Sequence, residues 1–275
     1  MQSDNQDKIY WHEAFFAALQ LEFYDYADVL IFEDEHQLSK EALIMDVLVI
    51  KKAADVYISK NIGQIFKTHN IFEYKSETDN LSIWDYNKVV GYASLYSAFE
   101  EVSVADITVT FVSTPKPVKL LNHLANERGF TVDEVSPGIY HIKGDTFTTQ
   151  ILENKKLGDN IFLKNLRSSL TKRDMAEVFN AYSKYYSLEK ESAYLSRIFG
   201  ANAIIFREVL GMMDANVRQI AYDYFKEIGW IDREIEENKR AAATEMLQRN
   251  FDIQDIAAIL KMPIEWVKNI STNQV

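Results

Sequence analysis

The sequence predicts an α/β core, a small mixed sheet flanked by helices, followed by an all-α region. Three observations predict it. Short apolar or β-branched runs at 27–33, 42–51, 70–75 and 105–113 alternate with helical patterns across the first 150 residues. Beyond 150, strand-like alternation stops and apolar positions recur at helical spacing. Of the 275 residues, 47 % are hydrophobic and 13 % aromatic, enough apolar material for a sizeable core. The boundary is placed near 150, dividing the chain into 1–150 and 151–275.

The elements follow in order. Residues 8–24 lack glycine and proline and repeat their apolar positions at helical spacing, predicting a helix. Residues 27–33 and 42–51 read as an antiparallel hairpin. The connection 52–69 is mixed, with a short helix near 62–66. Residues 70–75 form a third strand. Ser82 or Asp79 can cap a long helix over 82–101. The β-branched run 105–113 is a strand. A helix at 117–128 ends at Gly129, and 130–150 holds one or two short strands around Ser136-Pro137-Gly138. Helical patterns then run through 159–170, 172–186, 188–199, 201–213, 216–227 and 231–249. Helices at 252–260 and 263–270 flank the turn Lys261-Met262-Pro263. This last pair looks like a helix-turn-helix, but Glu265, Trp266, Lys268 and Asn269 are a poor set for reading bases. Packing or oligomerisation is the preferred reading there.

There are no cysteines, which excludes disulfides, thiolate zinc sites and cysteine nucleophiles and fits a cytoplasmic setting. The opening residues are acidic and polar, unlike a signal peptide. No apolar run approaches the roughly 20 residues that span a bilayer, so no membrane partner is expected. Net charge is −11, which argues against a nucleic-acid partner until its distribution is considered. Residues 1–150 hold 12 Lys/Arg against 23 Asp/Glu, whereas 151–275 hold 18 of each. Two stretches, 51–75 and 155–173, are locally basic. They read either as ordinary solvated faces or as a track for a phosphate backbone.

The stretch 42–76 carries the chemistry. Asp46 interrupts the apolar run 42–50, and a lone acid in an apolar strand is costly unless paired. Glu73 and Lys75 lie two apart in the next strand and so share a face. Carboxylate oxygens suit Mg²⁺. A bound divalent ion lowers the pKa of its water and neutralises a phosphate, while a lysine stabilises developing negative charge. The triplet Glu-x-Lys alone is weak, since it recurs at Glu153-Asn154-Lys155 and Glu237-Asn238-Lys239, both in polar segments expected to be exposed. A cross-face ion pair explains Glu73 and Lys75 equally well from spacing alone. Glu13, taken alone, reads as an exposed helical acid, although its helix offers a carboxylate to the sheet. His12 and His69 show no metal-ligand spacing.

The order of a helix with Glu13, a hairpin with Asp46, a strand with Glu73-x-Lys75, a long helix and a strand resembles the PD-(D/E)XK nuclease superfamily. Within it, the chain resembles bacterial transposase-associated, recombination-promoting nuclease-like proteins. The carriers are Ile44-Met45-Asp46-Val47-Leu48, Asn70-Ile71-Phe72-Glu73-Tyr74-Lys75-Ser76 and the run Leu81–Ala93. Met45 stands where the superfamily's name puts proline. The resemblance covers about 1–150 and implies a restriction-endonuclease-like core. It also implies a Mg²⁺-dependent DNA endonuclease, with Mn²⁺ as a substitute, acting in recombination, mobile elements or defence. Asp46, Glu73 and Glu13 would be metal ligands and Lys75 the catalytic lysine. Lys51, Lys52, Lys88 and Tyr92 are candidate substrate contacts, and Tyr86 reads as sheet packing. DNA is the expected partner, and pairing into a homodimer is a further expectation. The acid excess of 1–150 motivates the alternative of a catalytically inactive PD-(D/E)XK-like module that binds nucleic acid or protein.

Overall fold

The computed structural model describes residues 3–33, 48–53, 55–182, 192–210, 222, 226, 230–249 and 251–272. Among the described residues, seven strands form one open mixed sheet. They are β1 (Leu30–Glu33), β2 (Leu48–Lys52), β3 (His69–Lys75), β4 (Ile107–Ser113), β5 (Thr131–Ser136), β6 (Ile139–Lys143) and β7 (Thr148–Glu153). Their order across the sheet is β1-β2-β3-β4-β7-β6-β5. The expected hairpin is present, with β1 and β2 antiparallel. β2 pairs antiparallel with β3. β3, β4 and β7 run parallel, and β6 and β5 complete an antiparallel edge. The α/β class is met, but the sheet is larger than expected because 130–153 supplies three strands. Gly138, with φ +76°, makes the reversal between β5 and β6.

Helices cover both faces. α1 (Ser3–Glu22) lies on one, and α2 (Ile83–Phe99) and α3 (Val118–Asn126) on the other. The two-residue period of the strands sorts the core between them. On β3, Ile71 faces α2 and α3, in a cluster with Val49, Val109, Phe111, Ile151, Tyr86, Val89, Tyr96, Leu120 and Leu124. Phe72 and Tyr74 point the other way, with the Phe15 ring of α1 6.3 Å from Phe72 and stacked 4.8 Å from Tyr74. β4, in the middle, is buried along all seven residues. That suits a parallel strand covered on both faces.

The remaining helices among the described residues are α4 (Ile161–Lys164), α5 (Lys172–Tyr182), α6 (Ser192–Ala201), α7 (Ala203–Leu210), α8 (Trp230–Gln248), α9 (Ile253–Leu260) and α10 (Ile264–Thr272). The chain divides into two compact units, Met1–Met213 and Asp214–Val275. The expected boundary near 150 falls inside β7, whose ladders to β4 and β6 tie it into the sheet. α4 and α6 then pack against α1, which carries the first unit well past 150. Within the second unit, Asp252 caps α9, Lys261 turns the chain at φ +51°, and α8, α9 and α10 bury Ala243, Ile256, Ala257, Val267 and Ile270 together. The helix expected at 216–227 lies mostly outside the described residues. No helix among the described residues is long and apolar enough to cross a membrane.

Candidate functional site

The sequence places one turn of helix over the end of β3. The strand stops at Lys75, a turn follows, and Ser82 opens α2. Ser82 and Asp85 form a reciprocal capping box: the Ser82 hydroxyl accepts from the Asp85 N–H, and Asp85 Oδ2 accepts the Ser82 N–H at 2.9 Å. This fixes the Asp85 carboxylate above Lys75. Lys75 Nζ lies 3.0 Å from Asp85 Oδ1 and 3.1 Å from Glu73 Oε1. Glu73 is 7 % exposed. One ammonium thus bridges two carboxylates at the carboxyl end of β3.

Burial alone would depress the Lys75 pKa. Glu73 and Asp85 outweigh it and hold the group above its ordinary value, so Lys75 is a cation at neutral pH. For Asp85, burial pushes upward, but the Ser82 hydrogen bonds and Lys75 prevail and its pKa is lowered.

The parallel ladders extend this site across the sheet. Lys75 is in register with Ser113 of β4, and Ser113 with Glu153 of β7. Partners in a parallel ladder share a face, so the three form a row on the α2 side. Glu153 Oε2 is 3.0 Å from Lys156 Nζ and accepts from the Tyr140 hydroxyl at 3.3 Å. Lys116 Nζ sits 4.7 Å from the Tyr140 ring centroid. Gly138 closes the edge of this group: a Cβ there would stand 2.7 Å from the Glu153 carbonyl oxygen. The crevice beyond the carboxyl ends of parallel strands is the usual ligand position in α/β sheets.

This corrects the expectation for the second Glu-x-Lys triplet. Glu153 and Asn154 are buried rather than exposed, because β7 runs to Glu153. Sequence reasoning missed Glu153, Tyr140 and Asp85. The Ser82-x-x-Asp85 capping signature was readable and would have found Asp85. Nothing local marks Glu153, whose position depends on pairing with β4.

The other expected site residues are dispersed. Asp46 lies outside the described residues, as do 34–47 as a whole. Glu13 does not turn toward the sheet. It is exposed on α1, where Ala14, Phe15, Ala17 and Ala18 take the inward positions, and α1 covers the face opposite Glu73 and Lys75. Lys51 pairs with Glu33 at 2.6 Å, and Lys52 Nζ donates to the Val56 carbonyl at 2.8 Å. Lys88 is exposed on α2, 5.3 Å from the Tyr92 ring centroid. Tyr86 is buried, stacks on Phe111 and donates to Asp145. His69 bonds the Tyr96 hydroxyl at 2.7 Å.

Among the described residues, no three His, Asp or Glu side chains gather into a group able to hold a metal ion. Glu73 and Asp85 converge, and both are hard oxygen donors of the kind Mg²⁺ accepts. Both are turned to the Lys75 ammonium, and Asp46 lies outside the described residues. Comparisons with models of known protein families, with curated proteins and with solved structures return no match.

Proposed function

We propose that the chain hydrolyses DNA phosphodiester bonds in a divalent-metal-dependent reaction, on a restriction-endonuclease-like core. The observation that carries this reading is the Lys75 ammonium held within 3.1 Å of two carboxylates at the carboxyl end of a strand that continues into a parallel row. The succession α1, β1–β2 hairpin, β3, α2, β4 supports it, being the order on which the PD-(D/E)XK resemblance rests. Asp46 and Glu73 would hold the ion, which supplies, when bound, a water of lowered pKa and neutralisation of the phosphate. Lys75 places a permanent positive charge where negative charge develops on the phosphoryl oxygens. Asp85 aims Lys75, and Ser82 aims Asp85. Glu13, on the opposite layer, takes no part.

The test is nicking of supercoiled plasmid in Mg²⁺ or Mn²⁺ by wild type, Glu73→Gln and Lys75→Gln, each checked for fold by circular dichroism. Both variants are expected to lose about 100-fold or more, the size of one lost electrostatic contact to the transition state. Equal rates in all three proteins, or a wild type inert in both metals, would sink the reading. The alternative, a module that binds without cutting, draws on one observation: Lys75 is already bridged by two carboxylates. It predicts DNA binding in EDTA and no cleavage in either metal.

A further inference from the structure

We infer that Lys116 takes a phosphate of the substrate strand beside the one at Lys75. The inference rests on the phosphodiesterase reading above and adds to it a backbone contact that fixes where the strand lies.

The loop that carries Lys116 is tied to the candidate site by hydrogen bonds. It leaves the carboxyl end of β4, where the Thr114 N–H donates to the Lys75 carbonyl at 3.4 Å. The Ser113 hydroxyl donates to the Pro115 carbonyl at 2.9 Å. β3 and β4 are neighbours in the parallel ladder, so Lys75 and this loop start from strand ends about 4.8 Å apart. Pro115 and Pro117 stand on either side of Lys116. Each ring locks its own φ, and Pro117 also confines Lys116 to extended backbone. The Val118 N–H then closes on the Lys116 carbonyl at 2.9 Å.

The side chain is ordered as well. Its ammonium lies 4.7 Å from the Tyr140 ring centroid, and Tyr140 is 3 % exposed. The Tyr140 hydroxyl holds the pKa of Lys116 above its ordinary value, so the group is charged at neutral pH. Tyr140 is held in turn by Glu153, at 3.3 Å from its hydroxyl. A loose surface lysine has to surrender rotamer freedom to bind. Here the loop and the ring order it in advance.

What sets Lys116 apart from the other lysines at these strand ends is that a neutral group holds it. Lys75 lies between Glu73 and Asp85, Lys156 is 3.0 Å from Glu153, and Lys155 is 3.7 Å from Glu77. Those charges are answered within the fold. Lys116 is exposed and forms no salt bridge among the described residues. Glu134 attracts it from further off, with its own carboxylate accepting the Gly138 N–H at 3.1 Å. A phenol places an ammonium without neutralising it. An ordered, exposed and unneutralised ammonium one strand from Lys75 suits an anion, and the anion a nucleic-acid strand brings there is its next phosphate. A lysine meets a phosphate as a point charge and reads no base.

The experiment is fluorescence anisotropy of two labelled DNA duplexes of unrelated sequence across a series of salt concentrations, in EDTA so that cleavage does not intervene. Lys116→Gln is expected to weaken both duplexes by the same factor and to flatten the slope of log affinity against log salt by about 0.9, the loss of one phosphate contact. Lys116→Arg is expected to keep the wild-type slope. Lys119→Gln, which removes an exposed charge three residues further on, is expected to match wild type. The proposal falls if Lys116→Gln keeps the wild-type slope or weakens one duplex alone. It also falls if Lys119→Gln flattens the slope equally, for then the loop attracts DNA without a held contact. Nicking in Mg²⁺ or Mn²⁺ is scored separately. Nicking by wild type with a slope indifferent to Lys116 removes the contact and leaves the phosphodiesterase reading. A Lys116-dependent slope in a wild type that nicks in neither metal does the reverse, and absence of any DNA binding removes both.

Discussion

Of the three glutamates buried among the described residues of the sheet unit, Glu22, Glu73 and Glu153, the first two stand on opposite faces of the sheet, and each has a lysine close by. Glu22, at the end of α1, has Lys60 Nζ at 2.8 Å and accepts from the backbone N–H groups of Phe162 and Leu163 at 2.5 and 3.0 Å. Glu73, on β3, has Lys75 at 3.1 Å. Both look alike as sequence, an acid beside aromatic residues. Their surroundings differ. Glu22 is held by backbone on one oxygen and by a lysine on the other, so it fastens the 161–164 turn to α1. Glu73 shares its lysine with Asp85 at the mouth of the parallel strands. Burial alone therefore does not mark a working carboxylate. What separates the two is whether the partners are spent on the fold or gathered at a strand end.

The largest expected effect tests that division directly. Glu73→Gln is expected to lower plasmid nicking about 100-fold or more while the protein stays folded. Glu22→Gln is expected to leave nicking within a few-fold of wild type. If Glu22→Gln abolishes cleavage in a folded protein, the division is wrong. Next in size is stability. Glu22→Ala strips two buried N–H donors and Lys60 of their acceptor, at a cost of about 3–5 kcal/mol, read as a lowered midpoint in urea. A loss below about 1 kcal/mol would show that water replaces the carboxylate. Gly138→Ala combines a positive φ with contact against the Glu153 carbonyl oxygen and is expected to cost about 1–3 kcal/mol. Ser82→Ala removes the cap that aims Asp85, costing about 0.5–2 kcal/mol. If the site matters, nicking falls more than stability does.

The smallest effect is in pH dependence, and the two layers differ in sign. Asp85 has a lowered pKa in the fold, owing to Ser82 and Lys75 acting against burial. Its stabilisation is present above the ordinary aspartate value of about 3.9 and is lost as pH falls through the lowered one. Glu22 has a raised pKa because burial outweighs Lys60 and the backbone donors. Its ionisation costs stability as pH rises from the ordinary glutamate value of about 4.3 through the raised one. Glu22→Gln is therefore expected to gain relative to wild type as pH rises across that window, and Ser82→Ala to narrow its deficit as pH falls. Thermal melts from strongly acidic to neutral pH give both slopes. Parallel curves for all three proteins would contradict the assignment.

Much of the first unit was legible because its signals are local. Helix 83–99 follows a cap, the strand 107–113 is β-branched, and the hairpin partners alternate as strands do. The Glu73–Lys75 pair was legible because two-residue spacing on a strand fixes a common face. What was missed depends on pairing between distant segments. The strand at 148–153 gains its place only beside β4, so Glu153 looked like an exposed acid. Which face α1 covers is likewise fixed by Phe15 meeting Phe72 and Tyr74. Nothing in 8–24 says on which side of the sheet Glu13 will stand.

The central position of β4 has a consequence for how the chain is made. Its Ile-Thr-Val-Thr-Phe-Val-Ser sequence is β-branched and uncharged, and it pairs with β3 on one side and β7 on the other. The β3 side can close as soon as β4 leaves the ribosome. The other side must wait for some forty more residues to be synthesised. During that interval β4 is a bare, sticky edge of the kind that recruits other chains. A nascent chain stalled before residue 148 is expected to aggregate, whereas one released after Glu153 has emerged is expected to stay in solution. Translation speed across 114–153 would then set the yield of usable protein, without changing any contact in the finished fold.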